Sequence, residues 1–288
     1  MTRATSRSRV RTLLADGTER VHTDTLAGEE PMELRVDGRS LTVTMRTPGH
    51  DFDLAAGFLV SEGVLHRPDH VTRIGYGPGV AAGGEATYNI VDVTLAPGVP
   101  GPSVTAERRV YTSSSCGICG TSSIEALSRM PQFDGSMPRP SASFDLTVLL
   151  DLPDRLRAEQ TMFGRTGGTH AAGLFDATGE LLCVREDVGR HNAVDKVVGW
   201  AWREGRLPLS GTVLQVSGRA SFELVQKAQM AGIPMLAAVS APSSLAVDLA
   251  EEAGLTLIGF SRTDRLNVYS HPERILTSTG PGGQASSA

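Results

Sequence analysis

Residues 212–240 read TVLQVSGRASFELVQKAQMAGIPMLAAVS, in which two short apolar runs flank one segment with helical periodicity. Thr212–Ser217 and Met235–Ser240 have the length and the apolar composition of buried strands. Leu255–Phe260 repeats the pattern after a further helical segment. Strict alternation of strands and helices predicts right-handed crossovers and a largely parallel sheet that is covered on both faces.

The regions around this alternation predict the rest of the architecture. Upstream, His170–Phe175 and Glu180–Arg185 flank a turn and are expected to pair as a hairpin. Helices are expected from about Pro153 to Phe163 and from a cap at Asn192. The fold class is thus α/β, with a C-terminal three-layer domain of mixed and parallel strands. The expected boundaries are a disordered tail (1–13), a small α+β domain (14–112), a flexible loop with a short helix and a linker (113–140), the α/β domain (141–276) and a second disordered tail (277–288).

The composition is that of a soluble globular protein. Of the 288 residues, 40% are hydrophobic and 20% are charged, which allows a sizeable core. The net charge of −5 argues against non-specific binding to nucleic acid, and no apolar run approaches the roughly 18 residues that span a membrane. Three cysteines do not make a disulfide framework, so a reducing cytoplasm is the expected compartment.

Two of the three cysteines, Cys116 and Cys119, lie in the serine- and glycine-rich segment SSSCGICG. Ser122 and Glu125 form a capping-box pattern directly after it, and the free N–H groups of a helix N-terminus favour a thiolate nearby. A C-x-x-C pair in this setting is a redox dithiol, half of a zinc site or a sulfur-relay site. These three interpretations stay open on the residues alone. Cys183, within a predicted strand, is expected to be a packing residue.

Polar loops follow the strands of the C-terminal half, at the ends that parallel strands bring to one edge of a sheet. Ligands of open α/β sheets bind at that edge, and helix N-termini beside arginines are suited to phosphate. The alternative is that these segments are ordinary helix caps. His170 starts a strand, where it either contacts the ligand or packs as a partly buried histidine. The candidate residues of this phosphate site are His170, Arg190, His191, Gly218, Arg219, Arg262 and Arg265.

Several segments together are similar to one known family. They are SSCGICG (114–120), EDVGRHNA (186–193) with Asp195 and Lys196, SGRAS (217–221), SAPSSLA (240–246) and LTLIGFSR (255–262). They resemble the formate dehydrogenase accessory sulfurtransferase family, FdhD, and the similarity covers about Glu30 to Tyr269. The resemblance implies a C-terminal domain similar in fold to cytidine deaminases, and a homodimer.

The resemblance also implies a role in maturing a molybdenum enzyme. Family members take persulfide sulfur from a cysteine desulfurase and pass it to the bis-(molybdopterin guanine dinucleotide) molybdenum cofactor before its insertion into formate dehydrogenase. Cys116 matches the family's persulfide carrier, and Cys119 matches its second cysteine. The cofactor is then a bound acceptor substrate, and no structural metal is expected. The family's cofactor-binding segment matches Phe260, Ser261, Arg262, Thr263, Asp264 and Arg265.

Three alternatives make different demands on the sequence. A zinc deaminase needs H-x-E and P-C-x-x-C, but Ser115 precedes Cys116, and neither His170 nor His191 is followed by the required glutamate. A thioredoxin-type oxidoreductase places its C-x-x-C early in a βαβ pattern, whereas this pair follows a strand-rich region. A cofactor-binding chaperone or a redox sensor would keep the arginine loops and would tolerate the loss of Cys116.

Overall fold

The structure, a computed structural model, describes residues 4–79, 88–102 and 142–277. The loop that carries Cys116 and Cys119, together with the short helix and the linker expected after it, lies outside these residues. The same holds for residues 278–288 of the expected C-terminal tail. The description below therefore concerns the N-terminal region and the α/β region on either side of the cysteine pair.

The chain begins with an antiparallel hairpin of strands β1 (Thr5–Leu13) and β2 (Glu19–Ala27). The expectation of a disordered tail over residues 1–13 is wrong for the residues that form β1, since each of them pairs with a residue of β2. The turn explains the pairing. Gly17 takes a φ of +82°, and the Asp16 side chain accepts a hydrogen bond of 2.9 Å from the Thr18 N–H.

A four-stranded sheet and one helix follow the hairpin. The strands are β3 (Glu30–Val36), β4 (Arg39–Arg46), β5 (Val71–Tyr76) and β6 (Ile90–Leu95), in the order β4-β3-β6-β5, and the helix is α1 (Asp51–Ser61). Alternate residues of β3, among them Met32 and Leu34, are buried in the same core as the apolar residues of α1. The predicted smaller α+β unit is confirmed.

The C-terminal region contains the remaining elements in strict order. They are β7 (Phe144–Asp145), α2 (Leu146–Glu159), α3 (Thr161–Thr166), β8 (His170–Asp176), β9 (Leu181–Asp187), α4 (Arg190–Arg203), β10 (Thr212–Val216), α5 (Phe222–Met230), β11 (Met235–Ala238), α6 (Ser244–Ala253), β12 (Thr256–Gly259), β13 (Asn267–Ser270) and β14 (Ile275–Leu276). Two helix starts differ from expectation. Asp145 caps α2 by accepting from the Thr147 N–H, so this helix begins before Pro153, and α4 begins at Arg190 rather than after Asn192.

Six of these strands form one mixed sheet in the order β13-β12-β11-β10-β8-β9. Strands β10, β11 and β12 are parallel to one another, while β8 and β13 run antiparallel to their neighbours. Because β9 is antiparallel to β8, it points the same way as β10. Helix α2 packs its leucines on one face of the sheet, and α4, α5 and α6 bury theirs in a separate core on the other face. The predicted three-layer α/β fold is confirmed.

The two regions meet where α1 crosses α4. A Cβ added to Gly57 of α1 would collide with the Asp195 carbonyl oxygen of α4, and one added to Gly199 of α4 would collide with the Asp53 carbonyl oxygen of α1. The helices therefore touch backbone to backbone. Apolar residues of both regions belong to one hydrophobic core around this crossing. In the described part of the chain, no helix combines the length and the apolar character needed to cross a membrane.

Candidate functional site

The loops after strands β9 to β12 lie at one edge of the six-stranded sheet, because these strands all point the same way. Backbone hydrogen bonds join the loops to each other. The Ser240 N–H donates to the Gly218 carbonyl at 3.2 Å, and the Phe260 N–H donates to the Ser240 carbonyl at 3.2 Å. The edge is thus a single surface, and the residues expected there are neighbours through their backbones.

A cavity of about 600 Å³ opens at this edge. One wall is formed by the edge loops and the start of β8, and the opposite wall is formed by α2, α3 and the turn after them. Ligand pockets in proteins typically have volumes of about 300–1,000 Å³, so a nucleotide-sized molecule fits. The lining includes the expected residues His170, Ser261, Arg262 and Thr263, and it adds Asp154, Arg157, Gln160 and Phe163, for which the sequence analysis assigned no role.

The segment expected to bind the cofactor, Phe260 to Arg265, is divided between two cavities. Ser261, Arg262 and Thr263 line the first one, whereas Asp264 and Arg265 line a second cavity of about 390 Å³ beside β13 and α2. Phe260 is 38% exposed and has a φ of +50°, which marks the sharp turn from β12 into this segment. Arg262 partly holds the loop itself, since its guanidinium donates to the Val239 carbonyl at 2.6 Å.

His170, Arg190 and Gly218 form a close group at the same edge, whereas Arg219 is exposed. A Cβ on Gly218 would lie 3.4 Å from His170 Nδ1 and 3.8 Å from the Arg190 Cδ, so the glycine lets the two side chains approach the loop. Burial, together with the nearby Arg190 charge, lowers the pKa of His170. The buried Nε of Arg190 has no hydrogen-bond partner among the described residues. The group therefore offers a cation and a neutral histidine.

His191 is held at the start of α4 by two groups of α5. Its Nε2 lies 3.3 Å from the Ser221 hydroxyl and 3.1 Å from the Glu223 carboxylate. Burial, followed by the charges of Lys227 and Arg190, lowers the pKa of His191 to about 3. The contact with Glu223 is therefore a hydrogen bond from a neutral ring, although its length is that of an ion pair.

We expect His191 to make the protein less stable in acid. The unfolded chain takes up a proton near the ordinary pKa of 6.5, whereas the folded chain does so only near 3, so the free energy of unfolding falls as the pH drops through this window. One proton corresponds to a slope of about 1.4 kcal/mol per pH unit. Urea unfolding between pH 4.5 and 7.5 should show a shallower slope for His191→Gln, and an unchanged slope would contradict the burial argument. His22→Gln is the control, because His22 is exposed on β2.

The segment that carries Arg190 and His191 also fastens the two regions together. Asp187, fully buried, accepts from the Thr47 N–H at 3.0 Å and pairs with Lys196 at 2.7 Å. Lys196 donates in turn to the Thr47 carbonyl at 2.9 Å. Asn192 donates to the carbonyl of Met45 at 2.7 Å instead of capping the helix. This role was missed in the sequence, where Asn192 has the same appearance as a helix cap.

Cys183 has no access to solvent chemistry. It is 6% exposed on β9 and is a free thiol within the shared core. Burial raises its pKa to about 12, so the nucleophilic thiolate is not populated near neutral pH. The expectation that Cys183 is a packing residue is confirmed. Among the described residues, no group of three or more His, Cys, Asp or Glu side chains could hold a metal ion.

Comparisons with known proteins match almost the whole chain. A model of the FdhD/NarQ family matches residues 27–276. A protein of Streptomyces avermitilis named sulfur carrier protein FdhD is 58% identical, over 96% of this chain and 97% of the relative. A protein of Mycobacterium tuberculosis with the same name is 55% identical, over 94% of this chain and 99% of the relative.

A solved structure agrees with the sequence relatives. The crystal structure of a protein of Desulfotalea psychrophila, named as a formate dehydrogenase accessory protein, superimposes with a TM-score of 0.72 at 25% identity. The match covers 95% of this chain and 100% of that one. The family match, the identity to the relatives and the shared fold lead to one conclusion: the chain belongs to the FdhD/NarQ family.

Proposed function

We propose that this protein is a sulfur carrier in the maturation of formate dehydrogenase. It takes persulfide sulfur from a cysteine desulfurase onto Cys116 and transfers it to the bis-(molybdopterin guanine dinucleotide) molybdenum cofactor. The names of the relatives support the carrier role. The observation that carries the assignment to Cys116 is the burial of Cys183, because it leaves only the C-x-x-C pair of Cys116 and Cys119 for sulfur chemistry.

The loading step needs a thiolate and a persulfide. The Cys116 thiolate attacks the outer sulfur of the desulfurase persulfide, the S–S bond of the donor breaks, and the donor cysteine leaves as a thiolate. Cys119 provides a second thiol that resolves or relays the persulfide by exchange. A sulfurtransferase of this kind forms a covalent cysteine persulfide and needs no resident metal.

The acceptor site in this proposal is the cavity at the sheet edge. Its volume of about 600 Å³ suits one nucleotide arm of the cofactor. Arg262 lines it, and Arg190 lies beside His170, which lines it as well. Guanidinium groups bind phosphate oxygens through charge-assisted hydrogen bonds. The arginines therefore favour a diphosphate on a chain whose net charge is −5. We propose that the protein acts in the cytoplasm as a homodimer, which light scattering of the purified protein tests.

Intact-mass analysis tests the carrier function. After incubation with a cysteine desulfurase and cysteine, the protein should gain the mass of one sulfur atom, and a reductant should remove it. Cys116→Ala should gain none and should fail to restore formate dehydrogenase activity in a strain that lacks its own carrier. The matched control is Cys183→Ala, which should load fully and lose only about 1 kcal/mol of stability. A Cys116→Ala protein that supports formate dehydrogenase activity would overturn the proposal in favour of a chaperone that only binds the cofactor.

A further inference from the structure

The wall of the edge cavity formed by α2 and α3 has a chemistry of its own. Asp154, Arg157 and Gln160 recur every three residues along α2 and its end, so they lie on one side of the helix, and Phe163 follows in α3. All four line the cavity. Pro153 and Leu156 complete this wall with apolar surface. The wall therefore combines an acid, an amide, a cation and an aromatic ring within one small area.

Arg157 and Phe163 form a stack in this wall. The Arg157 Cζ lies 4.4 Å from the centroid of the Phe163 ring. Phe163 is fixed from behind, because its N–H donates to the Glu186 carboxylate at 2.7 Å and the neighbouring Met162 N–H donates to the same group at 2.7 Å. A guanidinium group held over an aromatic ring offers a flat surface on which a heterocyclic base stacks.

Two polar side chains of the wall have no partner. The side-chain amide of Gln160 makes no hydrogen bond within the described part of the chain, although the residue is only 7% exposed. A buried amide without a partner is costly unless a ligand or water satisfies it. Asp154 makes neither an ion pair nor a hydrogen bond to any described side chain, and it is the one carboxylate among the residues that line this cavity. An acid and an amide thus stand free beside the stack.

We propose that this wall recognises the base of a guanine nucleotide, a claim that rests on the proposed function. The Asp154 carboxylate accepts hydrogen bonds from the N1–H and the exocyclic amino group, which guanine presents side by side. Gln160 donates to the O6 or N7 acceptor of the same base. The base stacks on Arg157 and Phe163. Adenine presents an acceptor at N1, so it meets the carboxylate with repulsion.

The nucleotide then spans the cavity in one direction. Its base lies against α2 and α3, and its phosphates lie toward Arg262 and Thr263 on the opposite wall. The single acid would repel phosphate from the base end, whereas the arginine and the hydroxyl groups bind it at the other. This polarity gives the site a way to select guanine nucleotides over other nucleotides that carry the same diphosphate.

Nucleotide binding to the full-length protein, measured by calorimetry, tests the assignment. Wild-type protein should bind GDP at least tenfold more tightly than ADP. Asp154→Asn should weaken GDP about tenfold and should bind xanthosine diphosphate better than GDP, because the asparagine amide donates to the carbonyl that xanthine carries in place of the amino group. Phe163→Leu should weaken both nucleotides by the same factor of about ten. Inorganic pyrophosphate should bind all variants equally.

The control is Asp151→Asn, one turn earlier on α2, where the exposed carboxylate pairs with Arg155 at 2.6 Å and does not line the cavity. It should bind as the wild type does. If GDP and ADP bind the wild type equally, or if Asp154→Asn keeps its preference for GDP over xanthosine diphosphate, the base assignment is overturned while the carrier function stands. If the wild type binds pyrophosphate but no guanine nucleotide, the base assignment falls and so does the cavity as acceptor site, whereas sulfur loading on Cys116 is judged separately.

Discussion

Gly57→Ala is expected to lower the free energy of unfolding by about 3 kcal/mol or more, since overpacking that the surroundings cannot absorb lies at the upper end of such effects. The added methyl group would meet backbone atoms of α4, among them the Gly199 nitrogen at 2.8 Å. Backbone cannot rotate away as a flexible side chain does. The two helices would have to separate, and the core that both regions share would open.

Urea unfolding followed by circular dichroism measures this loss. The control is Gly164→Ala in α3, a helical glycine whose added Cβ has no neighbour within 4 Å. Alanine is the better helix former, so this variant should be unchanged or more stable by up to about 1 kcal/mol. A Gly57→Ala protein whose unfolding midpoint coincides with that of the control would show that the crossing tolerates a side chain.

Lys227→Met should cost about 3–5 kcal/mol, because it leaves a buried carboxylate without its counter-ion. Lys227 Nζ lies 2.8 Å from both carboxylate oxygens of Asp195, and the Ser61 hydroxyl donates to the same carboxylate at 2.8 Å. Asp195 is 2% exposed. The three residues come from α4, α5 and α1, so the loss would loosen all three helices at once.

The pH dependence of this loss identifies its cause. Burial already raises the pKa of Asp195 above its ordinary value of 3.8, and removal of the lysine raises it further. Below that raised pKa the folded variant carries a neutral acid, whereas the unfolded chain stays ionised down to about 3.8. The deficit should therefore shrink as the pH falls toward 4 and be largest at neutral pH.

Two further variants test the same explanation. Asp195→Asn in the Lys227→Met background should recover most of the lost stability, because no charge is then buried. Arg11→Met breaks the exposed pair with Glu19, whose atoms lie 3.0 Å apart, and should cost less than about 1 kcal/mol. A Lys227→Met deficit that does not change with pH would point to lost packing around Phe58 rather than to the buried charge.

The α/β fold could be predicted because its signals are local. Each strand from Thr212 onward is a short apolar run, and polar or glycine residues separate it from the next helix. The hairpin of β1 and β2 was missed because its strands lack apolar alternation, and arginines and serines occupy most of β1. Asp16-Gly17 is the turn signal that would have identified it.

The candidate site was predictable only on one side. Loops that follow parallel strands must meet at one edge, so Ser261 and His170 could be placed near each other from the strand order. The opposite wall comes from α2 and α3, and no rule of sequence says which edge of a sheet a preceding helix will reach. Asp154 and Gln160 look like ordinary residues on a helix surface until tertiary packing brings them to the cavity.

The backbone contact between α1 and α4 restricts how members of this family can exchange sequence. A recombination event between two genes, with its crossover between residues 62 and 189, would join α1 of one parent to α4 of the other. The product would fold only if both parents supply a glycine at the positions of Gly57 and Gly199. The N-terminal region is therefore not an interchangeable module, and it should be inherited together with the sheet that it covers.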